Sequence, residues 1–133
     1  MTFHFITLFP TSFSSYLGES ILKRAVEDKK IAFKFYNPRD FAGNKHDRVD
    51  RKPYGGGPGM VMAVEPIYRA VLDVQNVRDV RSSRKKQLEQ AERSNKRSDR
   101  TIRTRVILFS TRGKKLDAKT AKRFSKYDSL ILI

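Results

Sequence analysis

Phe3-His4-Phe5-Ile6-Thr7-Leu8-Phe9-Pro10 opens the chain with aromatic and β-branched residues alternating closely enough to predict a buried strand over Phe3 to Phe9, which Pro10 ends. Thr11 then offers a helix N-cap, so a strand hands over directly to a helix. The pattern recurs outward from this start. Ser20 can cap a second helical stretch in which Ile21, Leu22, Ala25 and Val26 share one apolar face, with Lys23, Arg24 and Glu27 outside and Asp28, Lys29 and Lys30 closing it. Ile31 to Tyr36 predicts a strand with Ile31, Phe33 and Phe35 on one face, broken by Asn37-Pro38. Glu65 and Pro66 open a helix with Ile67, Ala70, Val71 and Val74 at helical spacing. Val106 to Phe109 predicts a short apolar strand, followed by the turn Ser110-Thr111-Arg112-Gly113 and a helix capped by Asp117, with Ala118, Ala121 and Phe124 on its inner face. Leu130-Ile131-Leu132-Ile133 reads as a buried parallel strand. Strands alternating with helices predict a single α/β domain with a mainly parallel sheet.

Charge narrows the partners. The 133 residues carry 29 Lys plus Arg against 14 Asp plus Glu, a formal net charge of +15, which favours a polyanion, nucleic acid before an anionic membrane surface. No run approaches the roughly 18 apolar residues of a spanning helix, and the apolar start lacks the basic leader and cleavage site of a signal peptide. With no cysteine, disulfides, thiolate catalysis and Cys-ligated zinc are excluded, and a cytoplasmic setting fits. The charge is uneven: from Arg78 to Arg105, 11 Lys or Arg stand against 4 Asp or Glu, a net of +7 over 28 residues. Val80, Leu88 and Ile102 are too scattered there to form a stripe, which marks a basic insertion at about 78–105.

From Arg39 to Met60 periodicity gives way to a long polar loop, a length that in a compact domain signals function or disorder. Its centre is Lys52-Pro53-Tyr54-Gly55-Gly56-Gly57-Pro58-Gly59-Met60. Four glycines in five positions permit positive φ and close approach of bare backbone to a flat base or a cofactor. No Lys-Ser/Thr follows Gly59, so this is not a Walker A loop; the glycine spacing and the lack of a strand feeding it also rule out a dinucleotide fingerprint. On residue chemistry alone a ligand loop and a plain surface turn both remain open.

The glycine loop, the opening Ile6-Thr7-Leu8-Phe9-Pro10, Asn37-Pro38-Arg39-Asp40-Phe41 and the run from His46 through Val49-Asp50 to Met60 together resemble the bacterial tRNA (guanine-N1)-methyltransferase family. The likeness covers residues 1 to about 76 and resumes at Val106, with Ser110, Gly113, Lys115 and Leu116 in place. It implies a SPOUT-type trefoil-knot methyltransferase fold, S-adenosylmethionine as methyl donor, tRNA as substrate, a homodimer, and methylation of N1 of the guanosine just 3′ of the anticodon. Arg51 departs from the family's usual second acidic residue, and Leu108 and Thr111 replace a tyrosine and a proline common there. The family continues past a strand like Leu130 to Ile133 into segments that tie the knot, enclose the donor and carry the aspartate thought to take the N1 proton. The expectation is therefore an N-terminal part of one methyltransferase domain, truncated before the knot is complete, its last apolar strand left exposed and the chain prone to associate.

The resemblance places Leu108, Phe109, Ser110, Thr111 and Gly113 at the donor's adenine side. Tyr54, Gly55, Gly56, Gly57, Pro58 and Gly59 fall to the target base, with Tyr54 either a stacking surface or core. Arg39, Arg48, Arg51 and Lys52, with Lys45, are candidates for phosphate contact, each alternatively a solvated side chain. His46, Asp47 and Asp50 form the one acid/base cluster; Asp50 could take the N1 proton, but hydrogen bonding that fixes the loop is the favoured part for it. No spacing suits a metal, and magnesium enters by resemblance alone. Two further readings stand beside the enzyme: a noncatalytic basic RNA-binding protein of the same descent, and a subunit completed by another polypeptide.

Overall fold

The computed structural model describes residues 1–75 and 103–133. Its main sheet has four strands, β1 (Thr2–Ile6), β2 (Ala32–Tyr36), β5 (Thr104–Ile107) and β6 (Ser129–Leu132), in the order β2-β1-β6-β5. Every pairing in it is parallel, with Thr2 opposite both Ala32 and Ser129, and Thr104 opposite Ser129. A separate antiparallel pair joins β3 (Asp50–Arg51) to β4 (Val61–Met62). The helices are α1 (Ser14–Leu17), α2 (Ser20–Glu27), α3 (residues 64–75 as described) and α4 (Ala118–Phe124). The α/β class with a mainly parallel sheet expected from the sequence is the one observed.

Strand pleating sorts the side chains. His4 and Ile6 of β1, Tyr36 of β2 and Ile131 of β6 share one face, against which α3 lays Ile67, Ala70, Val71 and Val74. Ile6, Ala70, Val74 and Ile131 form the buried cluster, so the apolar stripe expected on this helix is its packing face. His4 is also buried, and its Nδ1 lies 3.1 Å from the Tyr36 hydroxyl. On the opposite face Phe3, Phe5, Phe13, Phe33 and Phe35 stack in a chain with ring centroids 5.0–6.1 Å apart.

Several boundaries differ from expectation. β1 stops at Ile6 because the Phe9 N–H donates to Thr7 Oγ1 (3.2 Å) and turns the chain toward a 3-10 helix over Pro10–Phe13. Thr11 lies inside that helix and its carbonyl accepts from Ser14 Oγ, so it caps nothing. Ser20 is the first residue of α2, since the extended Glu19 takes the cap position without a side-chain bond. Ile21 is 76% exposed, while Leu22 and Ala25 are half-buried. The close of α2 is as expected: Lys29 turns left-handed at φ 56, and the Lys29 and Lys30 N–H groups satisfy the carbonyls of Val26 and Ala25.

Asp117 does cap α4, accepting the Thr120 N–H at 2.7 Å. Ala118 and Ala121, however, are exposed and only Phe124 is half-buried, because two methyl groups gain too little on burial to draw that face inward. The last strand is not an exposed edge: β6 lies between β1 and β5, Ile131 is fully buried, and the open edges belong to β2 and β5. Thr104 and Arg105, at the end of the expected basic insertion, are strand residues of β5, and residues 78–102 of that insertion lie outside the described residues.

Candidate functional site

The glycine loop is the tip of a hairpin. Asp50 pairs with Met62 and Arg51 with Val61, and the Ala63 N–H donates to the Val49 carbonyl (2.7 Å), so residues 52–60 are held at their base by a short ladder. Gly56, Gly57 and Gly59 take φ of 74°, 98° and 95°, values that L side chains rarely adopt. A Cβ built on Gly55, Gly56, Gly57 or Gly59 would meet nothing within 4 Å, so the glycines answer to backbone conformation and open space, not to packing inside the chain. Tyr54 is 96% exposed, which removes the core reading and leaves its ring free. Pro58, Arg39, Arg48, Arg51 and Lys52 are likewise exposed.

The approach to the hairpin is organised by Asn44, which sequence reading passed over. Its Oδ1 accepts the N–H groups of His46 (3.2 Å) and Arg48 (2.9 Å), its Nδ2 donates to the Arg48 carbonyl (2.8 Å), and its own carbonyl accepts the Asp47 N–H (3.1 Å). The adjacent Gly43-Asn44 pair was the available turn signal. Gly43 itself sits at φ 66 with Arg69 Nη1 3.0 Å from where its Cβ would be, and Arg69 is ion-paired with Glu65, so α3 backs the loop. Asp50 is exposed in β3, and its carboxylate has no hydrogen bond among the described residues; the loop-fixing bonds come from Asn44. Arg39 donates weakly to the Asp47 carbonyl (3.4 Å). None of Arg39, Arg48, Arg51 or Lys52 has an ion-pair partner among the described residues, so four positive charges stand around the hairpin base.

The second loop follows β5, at the carboxyl ends of parallel strands where α/β folds bind ligands. The Phe109 N–H donates to the Ile133 carbonyl (2.9 Å) and the Ile133 N–H to the Ile107 carbonyl (3.0 Å), extending the β5–β6 ladder into the loop. Beyond it the chain doubles back: Arg112 N–H donates to Ser110 Oγ (3.2 Å) and Gly113 N–H to the Ser110 carbonyl (3.1 Å). A Cβ on Gly113 would stand 3.1 Å from that carbonyl, so a larger residue there would have to shift the turn by a few tenths of an ångström. The backbone N–H groups of Ser110 and Thr111 carry no hydrogen bond among the described residues, and Leu108 and Phe109 are 71% and 66% exposed. Free amides beside unburied apolar side chains are what an adenine ring would need: edge hydrogen bonds and flat contact. The residues of this loop have the chemistry to hold an adenosyl group.

The two loops share no hydrogen bond among the described residues, and a cavity of about 370 Å³ between α2 and β2 is lined by neither. Among the described residues no group of three His, Asp or Glu could hold a metal ion, so magnesium finds no ligand set there. None of their helices is long and apolar enough to cross a membrane.

The sheet and its two loops define an α/β protein of the parallel-sheet class, with one candidate loop beyond the carboxyl ends of the strands and a second candidate in the glycine hairpin. The family model described as "tRNA (Guanine-1)-methyltransferase TrmD" matches residues 1–133, and the chain belongs to that family. A tRNA (guanine-N(1)-)-methyltransferase of Staphylococcus aureus strain JH9 is 36% identical over the whole chain, which covers 44% of that relative. One from Clostridioides difficile strain 630 is 59% identical over 68 residues, 51% of this chain and 29% of that one. The crystal structure of a tRNA (m1G37) methyltransferase from Aquifex aeolicus is similar with a TM-score of 0.68 at 27% identity, covering all of this chain and 50% of that one. The chain therefore spans half or less of the length of these relatives.

Proposed function

We propose that this chain contributes the tRNA-facing hairpin and one wall of the donor site to an enzyme that transfers methyl from S-adenosylmethionine to N1 of the guanosine immediately 3′ of the anticodon, position 37. The observation that carries this reading is the hairpin itself: three glycines held at positive φ in open space, beside an exposed tyrosine ring and four cations with no ion pair among the described residues. Such a tip lets backbone approach a base while Tyr54 stacks on it and Arg39, Arg48, Arg51 and Lys52 meet phosphates. The names of the relatives and of the Aquifex protein support the same substrate.

The donor would lie against Leu108, Phe109, Ser110, Thr111 and Gly113, its adenine edge meeting the amides of Ser110 and Thr111. When bound it supplies the electrophilic methyl group. Guanine N1 holds its proton at neutral pH, so a carboxylate must accept it as the methyl arrives. Family resemblance assigns that base to a residue after Ile133; Asp50 is the weaker candidate within this chain. The complete enzyme would act as a homodimer in the cytoplasm, and residues 78–102 would add nonspecific RNA affinity through their charge.

The test is methylation of unmodified tRNA transcripts by the protein in its full natural form, with labelled donor. Label should enter a transcript with guanosine at position 37 and not one with adenosine there. Binding of tRNA without any uptake of donor would establish the noncatalytic RNA-binding alternative instead.

A further inference from the structure

The helix after the donor loop carries a charge pattern that its own stability does not explain. Lys119, Lys122 and Arg123 stand at i, i+3 and i+4 on one side of α4, Lys126 follows in the turn just past its end, and all four are exposed. From Arg112 to Lys126 the single acidic residue is Asp117, whose carboxylate is taken up in capping Thr120. None of the four cations has an ion pair among the described residues; Arg123 alone is steadied, 5.5 Å over the Phe124 ring. The helix dipole favours cations in the last turn and accounts for Lys122 and Arg123, but it disfavours Lys119 in the first. Like charges three and four apart repel as well. A stripe that costs the helix stability and faces solvent suits an external polyanion.

We propose that the stripe Lys119, Lys122, Arg123 and Lys126 is a phosphate-backbone contact surface for tRNA, separate from the glycine hairpin. Within α4 it runs about 6 Å from Lys119 to Arg123, the rise of four helical residues, and Lys126 extends it past the helix end, so the long side chains can reach more than one phosphate of a strand. RNA is favoured over a lipid surface because the flanking residues are exposed alanines, Ala118 and Ala121, and the helix has only seven residues, giving no apolar face to enter a bilayer. The identity of the polyanion as tRNA rests on the function proposed above.

The experiment compares the protein in its full natural form with its variant K119A/K122A/R123A/K126A, measuring tRNA affinity against salt, with donor affinity and helicity as controls. Alanine keeps helix propensity, so the fold should hold. Loss of four phosphate contacts should shallow the slope of log affinity against log salt by about three, so affinity varies some 60-fold less between 50 and 200 mM salt. Donor affinity should not change, and a variant exchanging Lys for Arg and Arg for Lys at the four positions should keep the slope. Were the fourfold variant to unfold, Lys122→Glu alone should shallow the slope by about one or more. An unchanged slope in a protein that still binds and methylates tRNA overturns the stripe and leaves the function standing. Stripe-dependent tRNA binding without any methylation does the reverse. Loss of binding to phosphatidylserine vesicles with the tRNA slope intact would also overturn the stripe, assigning it to membranes.

Discussion

The Phe109 N–H donates to the carbonyl of Ile133 at 2.9 Å, so the loop proposed for the methyl donor is fastened to the strand at the centre of the sheet. Phe109→Pro removes that donor and confines Leu108 to extended backbone. Donor affinity in the natural full-length protein should fall about tenfold, as expected from one lost hydrogen bond and a displaced loop. Calorimetry measures it, and unchanged affinity would mean that this tether does not set the loop.

Gly57→Val should abolish methyl transfer and leave the fold nearly intact. The site has room for the side chain, so the cost is backbone strain at φ 98, about 1–2 kcal/mol and confined to the hairpin tip. Normal turnover on a guanosine-37 transcript would reduce the loop to a turn.

Asp117 gives α4 a pH dependence. Hydrogen bonds from Thr120, side chain first and backbone second, hold its carboxyl below the usual carboxylate range. A lowered folded-state value means that its contribution is complete above the unfolded value of about 3.9 and is lost as pH falls through the folded one. Helicity of the wild type should therefore show a loss below about pH 4 that Asp117→Asn, which keeps an acceptor but no charge, does not share. Circular dichroism from pH 5 down to 2.5 would expose identical profiles if the cap played no part.

A polypeptide of residues 1–133 alone should bind S-adenosylmethionine weakly and transfer no methyl. The described residues supply one wall of the proposed donor site, and misplacement of reacting atoms by about 1 Å already costs roughly a hundredfold in rate. Turnover by that polypeptide, free of host enzyme, would return Asp50 to the role of base.

Removing residues 79–102 should flatten the salt dependence of tRNA binding, since 24 residues rich in Lys and Arg leave with it. The cut stops short of Arg103, whose carbonyl accepts from Asp128 and Ser129 and whose N–H donates to the Asp128 carboxylate, so β5 is spared. A slope equal to that of the intact protein would leave these residues as solvated chain.

Sequence showed the architecture where one physical signal dominated. Ile67, Ala70, Val71 and Val74 announced the packing face of α3 because burial follows helical spacing directly. Leu130 to Ile133 announced a buried strand, but not that β1 and β5 would flank it, since nothing in an apolar run encodes its neighbours. The hairpin was hidden because β3 and β4 are two residues each, too short for period-two alternation to appear. Asn44 was hidden because its hydrogen bonds are made to backbone, which every sequence carries alike. Tyr54 stayed ambiguous until exposure decided it, for an aromatic ring suits a core and a stacking surface equally.

The central position of β6 also sets a timetable. Thr2 pairs with Ala32 on one side and with Ser129 on the other, so one edge of β1 can be satisfied early in synthesis while the second waits for a partner 127 residues later. At about 5–20 residues per second, that interval is on the order of ten seconds on the ribosome. Through it the far edge of β1 has no permanent partner, and pairing so distant in sequence is entropically slow even afterwards. The sheet is thus closed by its last-made strand, and β1 keeps one open edge until Ser129 to Leu132 have emerged.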